Sequence, residues 1–268
     1  MRFNIYRWLA VVLCAGAMPV WAQSGPGPRV VLVELFTSEG CSSCPPADAL
    51  LRRLNGTRNA SGQLIVGISE HVTYWNQLGW VDPFSDETYT ARQNGYGGRF
   101  RLDEVYTPQV IVNGEAQVLG SDGNAILKAV AKLGPQTPVA VHIDSVADSE
   151  AGPKRTLAVT FSVAGLTASG ADIYAVIADD LAQSSVQRGE NSGRTLSHVS
   201  VARSFNKVAT LKDAKTVTVS LAVPGVVKGE PETKRHLILF AQARGNGRVL
   251  GADTTPLQDS TSQSRSGN

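Results

Sequence analysis

The chain has 268 residues, 25 of them Lys or Arg and 23 Asp or Glu, for a formal net charge of +2. That balance argues against nucleic acid or an anionic membrane surface as a partner, since either calls for a clustered excess of cations. With 42% hydrophobic residues, the chain is long enough for one large or two ordinary domains whose cores need no covalent staples.

Arg2 and Arg7 precede an apolar run from Trp8 to Val20, and Trp21-Ala22 follow before Gln23. A positive start, a short apolar stretch and a small residue at the cut predict a secretory signal peptide over residues 1–22 and a periplasmic or secreted product. The run is too short to span a membrane, and no later stretch reaches the roughly 18 apolar residues a span needs. Cys14 lies inside it, behind a Leu13 that argues against lipoprotein cleavage. Cleavage removes Arg2 and Arg7 and leaves basic and acidic side chains equal in number.

Residues 30–36 form an apolar, β-branched run and read as a buried strand. Cys41 and Cys44 follow at the start of a helix predicted over 46–54, where Pro46 suits the first turn and Asn55-Gly56 the stop. Leu64 to Ile68 reads as a second strand, and residues 85–97 as a polar helix capped by Ser85. Residues 110–119 form a hairpin turning at Asn113-Gly114, and 122–133 an amphipathic helix stopped by Gly134. Gly134 to Pro138 reads as a linker. Beyond it, alternating runs at 139–146, 156–163, 172–179, 199–205, 216–223, 235–242 and 248–254 predict an antiparallel β-sandwich. The Ser/Thr/Gln-rich tail from Pro256 reads as disordered. The predicted organisation is a signal peptide (1–22), an α/β domain (28–134), a sandwich-like all-β domain (139–255) and a tail (256–268).

Once the signal peptide is removed, Cys41 and Cys44 are the cysteines that remain. Exported proteins that use disulfides as scaffolding carry several well-separated cysteines, and a pair this close closes too small a loop to stabilise much. At a helix start, unpaired N–H groups and the helix dipole favour thiolate over thiol. Chemistry is the better account, with Cys41 as nucleophile and Cys44, one turn inward, as resolving thiol. Ser42 and Ser43 offer hydroxyls to the Cys41 sulfur, and Glu39 reads as an exposed acid that counteracts the dipole. The bland alternative is a tight, inert disulfide.

The order β-α-β-α-β-β-α, with Cys-x-x-Cys after the first strand, resembles the thioredoxin fold. Tyr106-Thr107-Pro108-Gln109, just before the hairpin, matches the position of that fold's cis-proline. More narrowly, the chain resembles a family of secreted, mainly proteobacterial proteins with a thioredoxin-like domain and a C-terminal extension. The matching stretches are Glu34 to Asp48, His71-Val72, Tyr74-Trp75, Gly79-Trp80, Arg92-Gln93, Tyr106 to Gln109, Arg188 to Asn191 and Gly193 to Leu196. Where the family carries acidic residues this chain has Thr73 and Asn76, which weakens any cation-binding role for that segment.

The resemblance implies an α/β thioredoxin-like domain followed by an all-β, sandwich-like domain. It implies a cis Thr107–Pro108 bond against the disulfide, with the Thr107 backbone offered to substrate. Thioredoxins carry a buried acid on the first strand, one position closer to the cysteines than Glu34; a carboxyl buried there would serve as base toward Cys44, and the other reading of Glu34 is a surface or edge carboxylate. His71, Trp75 and Trp80, with Tyr74, read either as a docking groove for substrate peptide or as a packing insertion. Arg188 to Arg194 is a glycine-rich loop, structural or binding, braced by Glu190 and Arg194, and it lacks the Gly-Lys-Ser/Thr of a phosphate loop. His142, His198 and His236 read as ordinary.

The predicted function is thiol–disulfide exchange on exported protein thiols and disulfides, with a further redox partner and no cofactor or metal. One alternative is copper binding or delivery through Cys41, Cys44 and His71, a soft thiolate–imidazole set. The cysteine spacing and the lack of a Met-rich segment count against it. Another is a non-catalytic binding module with a structural disulfide.

Overall fold

The computed structural model describes residues 30–133, 139–149, 155–227 and 233–258. The predicted signal peptide, the 134–138 linker and residues 259–268 of the tail lie outside the described residues; of the tail expected from 256, Pro256 ends a strand and Leu257 is buried.

Strand β1 (Val30–Thr37) is buried on both faces and pairs in parallel with β2 (Leu64–His71), in register from Val30 opposite Leu64 to Thr37 opposite His71. On its other side β1 takes β3 (Gln109–Val112) antiparallel, and β4 (Ala116–Leu119) completes the hairpin. Asn113 and Gly114 turn that hairpin with φ of 53° and 68°, a left-handed conformation this residue pair tolerates. Helices α1 (Pro45–Leu54) and α3 (Gly123–Lys132) cover one face, packing Leu50, Leu51, Ile126 and Val130 on Val31, Val33 and Leu35. Helix α2 (Glu87–Phe100) covers the other, where Leu32, Ile68 and Tyr89 meet.

The remaining strands are β5 (Ala140–Ser149), β6 (Thr156–Ala164), β7 (Ala171–Ser185), β8 (Thr195–Leu211), β9 (Lys215–Ala222), β10 (Arg235–Gln242) and β11 (Val249–Pro256). Three of them form a small antiparallel sheet in the order β5-β6-β9. The other four join the first-half strands in one mixed, eight-stranded sheet, β11-β10-β7-β8-β2-β1-β3-β4. This overturns the expected thioredoxin-like α/β domain followed by a separate all-β domain. The joint is a parallel contact between β2 and β8 at Ser69 and Val201.

The reason is visible in the packing. Both faces of β7 and β10 are covered: Ile173, Ile177, Leu237 and Leu239 pack on the small sheet. Val176, Ile238 and Phe240 share a core with Leu32, Val66, Ile68 and Tyr89 from the first half. Alternation along a strand reports that it has a buried face, but not which neighbouring strand or layer supplies the cover. Among the described residues no helix is long and apolar enough to cross a membrane.

Candidate functional site

The parallel strand β1 delivers the chain to Ser38-Glu39-Gly40 and then to Cys41, while Cys44 is the N-cap of α1, followed by Pro45 and Pro46 in its first turn. Proline fits there because its missing N–H would have no helical partner in any case. Cys41 and Cys44 are joined in a disulfide, and both are fully buried, whereas Ser42 and Ser43 between them are exposed. Ser43 Oγ lies 3.4 Å from Cys41 Sγ. A disulfide sulfur has no proton, so the Ser43 hydroxyl donates.

Two segments cover this turn. The first is the loop between β7 and β8. Asn191, fully buried, donates through Nδ2 to the carbonyls of Glu39 and Cys41, both at 2.9 Å. Arg194 Nη1 holds Asn191 Oδ1 at 2.7 Å, and the Ser42 N–H donates to Glu190 Oε2 at 3.0 Å. That contact with Ser42 holds the exposed Glu190 carboxyl below its usual range. Glu190 thus reaches across to the cysteine turn instead of bracing its own loop. The second segment follows β2. Trp75 Cβ lies where a Cβ on Gly40 would come within 3.1 Å, and its indole N–H donates to Thr107 Oγ1 at 2.8 Å. Thr107–Pro108 is a cis peptide bond. A Cβ on Gly120 would meet Pro108 Cβ at 2.9 Å, so glycine is required for this approach.

Beneath the disulfide turn lies a buried polar cluster. Glu39, expected at the surface, is fully buried. Its carboxylate accepts from the Trp80 indole N–H at 2.8 Å, from the Ser184 hydroxyl, and faces His198 Nε2 at 3.3 Å. His198 Nδ1 lies 3.4 Å from Asp48 Oδ1, and Thr37 Oγ1 donates to Asp48 Oδ2 at 3.4 Å. Asp82 Oδ2 accepts the Glu39 N–H at 2.8 Å and pairs with His71 Nδ1 at 2.7 Å. The His71 and His198 rings meet edge-on, 4.6 Å between centroids. Burial works against the His198 imidazolium, but Asp48 and Glu39 outweigh it and raise its pKa to about 10. Burial likewise opposes the Asp82 carboxylate, and His71 with two backbone N–H groups holds it below its usual range nonetheless.

Of the residues singled out from sequence, Cys41, Cys44, Trp75, Trp80 and Thr107 with Pro108 lie in or beside this assembly. Glu34 does not. It alternates to the α2 face of β1, where its carboxylate binds Arg92 Nε at 2.5 Å and the Tyr96 hydroxyl at 2.7 Å. Helix α1 sits on the opposite face with Val33 and Leu35, so the expected role of Glu34 as base toward Cys44 is corrected. Arg92 there is ringed by Tyr96, Tyr174, Phe205 and Phe240 and also approaches Glu70. Burial, with Glu34 adding to it, pushes the Glu70 carboxyl well above its usual range. His71 is fully buried and bound to Asp82, so it offers no docking surface.

The copper alternative names Cys41, Cys44 and His71 as ligands. Cys41 and Cys44 are bonded to each other, His71 is engaged, and no group of three or more His, Cys, Asp or Glu among the described residues is arranged to hold a metal ion. The sequence reads His198 as ordinary, leaves Asn191 in a loop that is structural or binding, and gives no role to Asp48, Asp82 or Ser184. Asp48 carried a signal, four residues after Cys44 in a predicted helix. The others reach the site only through tertiary structure.

The family model described as "Protein of unknown function (DUF1223)" matches residues 32–242. The crystal structure of protein AGR_C_4864 from Agrobacterium tumefaciens is 30% identical, over 85% of this chain and 97% of that one, with a TM-score of 0.58. HBP35 of Porphyromonas gingivalis is 13% identical over 86% of this chain and 76% of that one, with a TM-score of 0.57, a likeness of fold alone. No curated protein matches the chain.

Proposed function

The chain belongs to the family of proteins of unknown function DUF1223, and for it we propose thiol–disulfide exchange with exported proteins through Cys41 and Cys44. The observation that supports this reading is where the pair sits. It is a disulfide that closes a three-residue separation at the N-terminus of α1, between a buried cluster of carboxylates and histidines and a cover held by a few polar contacts. So short a loop does little for stability, whereas a helix N-terminus stabilises a leaving or attacking thiolate. The likeness of this turn and of Thr107–Pro108 to thioredoxin-like proteins supports the chemistry locally, without their architecture. An exported substrate class follows from the signal peptide read at residues 1–22.

In the oxidising direction, a substrate thiolate attacks Cys41 Sγ, the bond to Cys44 breaks, and Cys44 leaves as thiolate. A second substrate thiolate then attacks the substrate sulfur of the mixed disulfide and releases Cys41. Two electrons pass from the substrate dithiol to the cysteine pair, and the reverse sequence reduces a substrate disulfide. Both sulfurs are buried, so substrate enters only when the Glu190 and Asn191 contacts open. That burial also favours a second reading, a binding module whose disulfide merely shapes it.

Substitution of the resolving thiol separates the two. Cys44→Ser should trap Cys41-linked adducts with other exported proteins on non-reducing gels, and Cys41→Ser should not. Gels free of Cys41-dependent adducts would remove the exchange reading and leave the binding module.

A further inference from the structure

Asp48 lies four residues after Cys44 on α1, so the two side chains share a helix face one turn apart. Helical side chains lean toward the N-terminus, the direction of the cysteine turn, and the carboxylate meets Thr37 and His198 there. Asp48 is 5% exposed, and its Oδ1 makes no hydrogen bond among the described residues. The neighbouring acids differ. Glu39 is filled by Trp80, Ser184 and His198, and Asp82 by His71 and the N–H groups of Glu39 and Phe84. Asp48 Oδ1 faces His198 Nδ1 at 3.4 Å in a charge contact without a hydrogen bond, and a buried carboxylate oxygen held this loosely has room for a proton in another state of the site.

We propose that Asp48 accepts the proton of the Cys44 thiol, and that His198 is the positioning residue that holds the Asp48 carboxylate in place. This rests on the exchange reading. In the mixed disulfide, Cys41 Sγ is bonded to a substrate sulfur and Cys44 is a thiol. Cys44 passes its proton to Asp48 Oδ1 as its sulfur attacks Cys41 Sγ. The bond from Cys41 to substrate breaks, and the substrate sulfur leaves with the electron pair as a thiolate. The Cys41–Cys44 disulfide has re-formed, and the cluster recovers its charge when Asp48 exchanges that proton with water. The groups facing Asp48 are Thr37 from β1 and His198 from β8. Behind them lie Glu39, His71 from β2, Asp82 and Ser184 from β7. His198 thereby gives the second half of the chain a part in the chemistry of the first.

The test uses the full chain, reduced and mixed with oxidised glutathione, quenched with acid and read by mass spectrometry as a function of pH. The wild-type protein should form a Cys41–glutathione adduct and clear it rapidly near neutral pH. In Asp48→Asn the adduct should form at the same rate but clear roughly 100-fold more slowly, the scale of general acid–base catalysis. Clearance should recover as pH approaches the ~8.5 of a free thiol. His198→Gln should move the pH profile of clearance upward without abolishing it. Clearance by Asp48→Asn at the wild-type rate and with the wild-type pH profile overturns the proposal. A wild-type protein that forms no adduct overturns the exchange reading and, with it, this inference. Should the variants fail to fold, the wild type still decides: its Asp48 carboxyl carbon resonance should titrate differently in the disulfide and dithiol forms. Identical titrations overturn the assignment.

Discussion

At Glu39 the difference between a surface acid and a buried one is a matter of which residues arrive from elsewhere. One residue before Gly40, in a turn between strand and helix, a glutamate reads as solvated. Trp80, Ser184 and His198 instead supply three partners from three distant segments. Glu34 shows the complementary problem. The sequence left it between a buried acid and a surface or edge carboxylate, because its face depended on parity within β1, and it emerges buried beside Arg92 instead of under the cysteines. The cysteine pair and its place before a helix were legible, because spacing and helix are local, whereas the burial of Cys41 was not. The charge of His198 has a consequence for stability. Its pKa rises from 6.5 in an unstructured chain to about 10 in the fold. The contribution of the protonated ring is therefore complete below pH 6.5 and is lost as pH climbs toward 10. His198→Gln should cost about 3–5 kcal/mol at the acid end of that window, the usual penalty for breaking a buried ion pair. The gap between the urea midpoints of variant and wild type should then narrow toward the alkaline end. A gap independent of pH would mean that the ring is neutral.

Among the elements, the boundaries of α1, β1, β3, β4 and α3 lie close to those expected, since periodicity and punctuation by Pro, Asn and Gly are local signals. The strands β7 and β8 are longer than their apolar runs, at 15 and 17 residues, and carry register shifts near Ile173 and Ile177 that bend the hairpin. The far end of the hairpin, Ser185 to Thr195, meets the cysteine turn through Glu190 and Asn191. Asn191 pins it there by two hydrogen bonds from one buried amide. Removing that amide strands the Glu39 carbonyl and leaves the Cys41 carbonyl with the Cys44 N–H, a loss of about 1–3 kcal/mol for buried groups, and falls on the cover more than on the core. Asn191→Ala should therefore speed reduction of the Cys41–Cys44 disulfide by dithiothreitol, measured by trapping free thiols, while far-UV circular dichroism stays unchanged. Reduction at the wild-type rate would show that the loop does not limit access.

For the whole molecule, seven later strands were readable one by one, but their partners were not. A sandwich closed on itself and a sheet shared with the first half bury similar alternating strands. The deciding contacts are ones no local pattern reports. Leu32 and Ile68 pack with Val176, Ile238 and Phe240, the Arg92 guanidinium donates to Gln242 at 3.1 Å, and the Tyr89 hydroxyl donates to the Ala202 carbonyl at 2.7 Å. Separated at the linker, the first half would expose that apolar face and leave the Glu34–Arg92 pair without its aromatic ring of Tyr174, Phe205 and Phe240. Buried charges stripped of their surroundings destabilise strongly, and apolar area returned to water adds roughly 25 cal/mol per Å². The two halves should therefore unfold together. Trp75 and Trp80 report on the first half by fluorescence, and a label on a cysteine introduced at exposed Lys215, in a variant lacking Cys41 and Cys44, reports on the small sheet. Urea should give coincident midpoints for both probes, and a chain ending at residue 134 should lack a cooperative transition. Two separated midpoints, or a cooperatively folding first half, would mean that the shared sheet is a docking of independent domains.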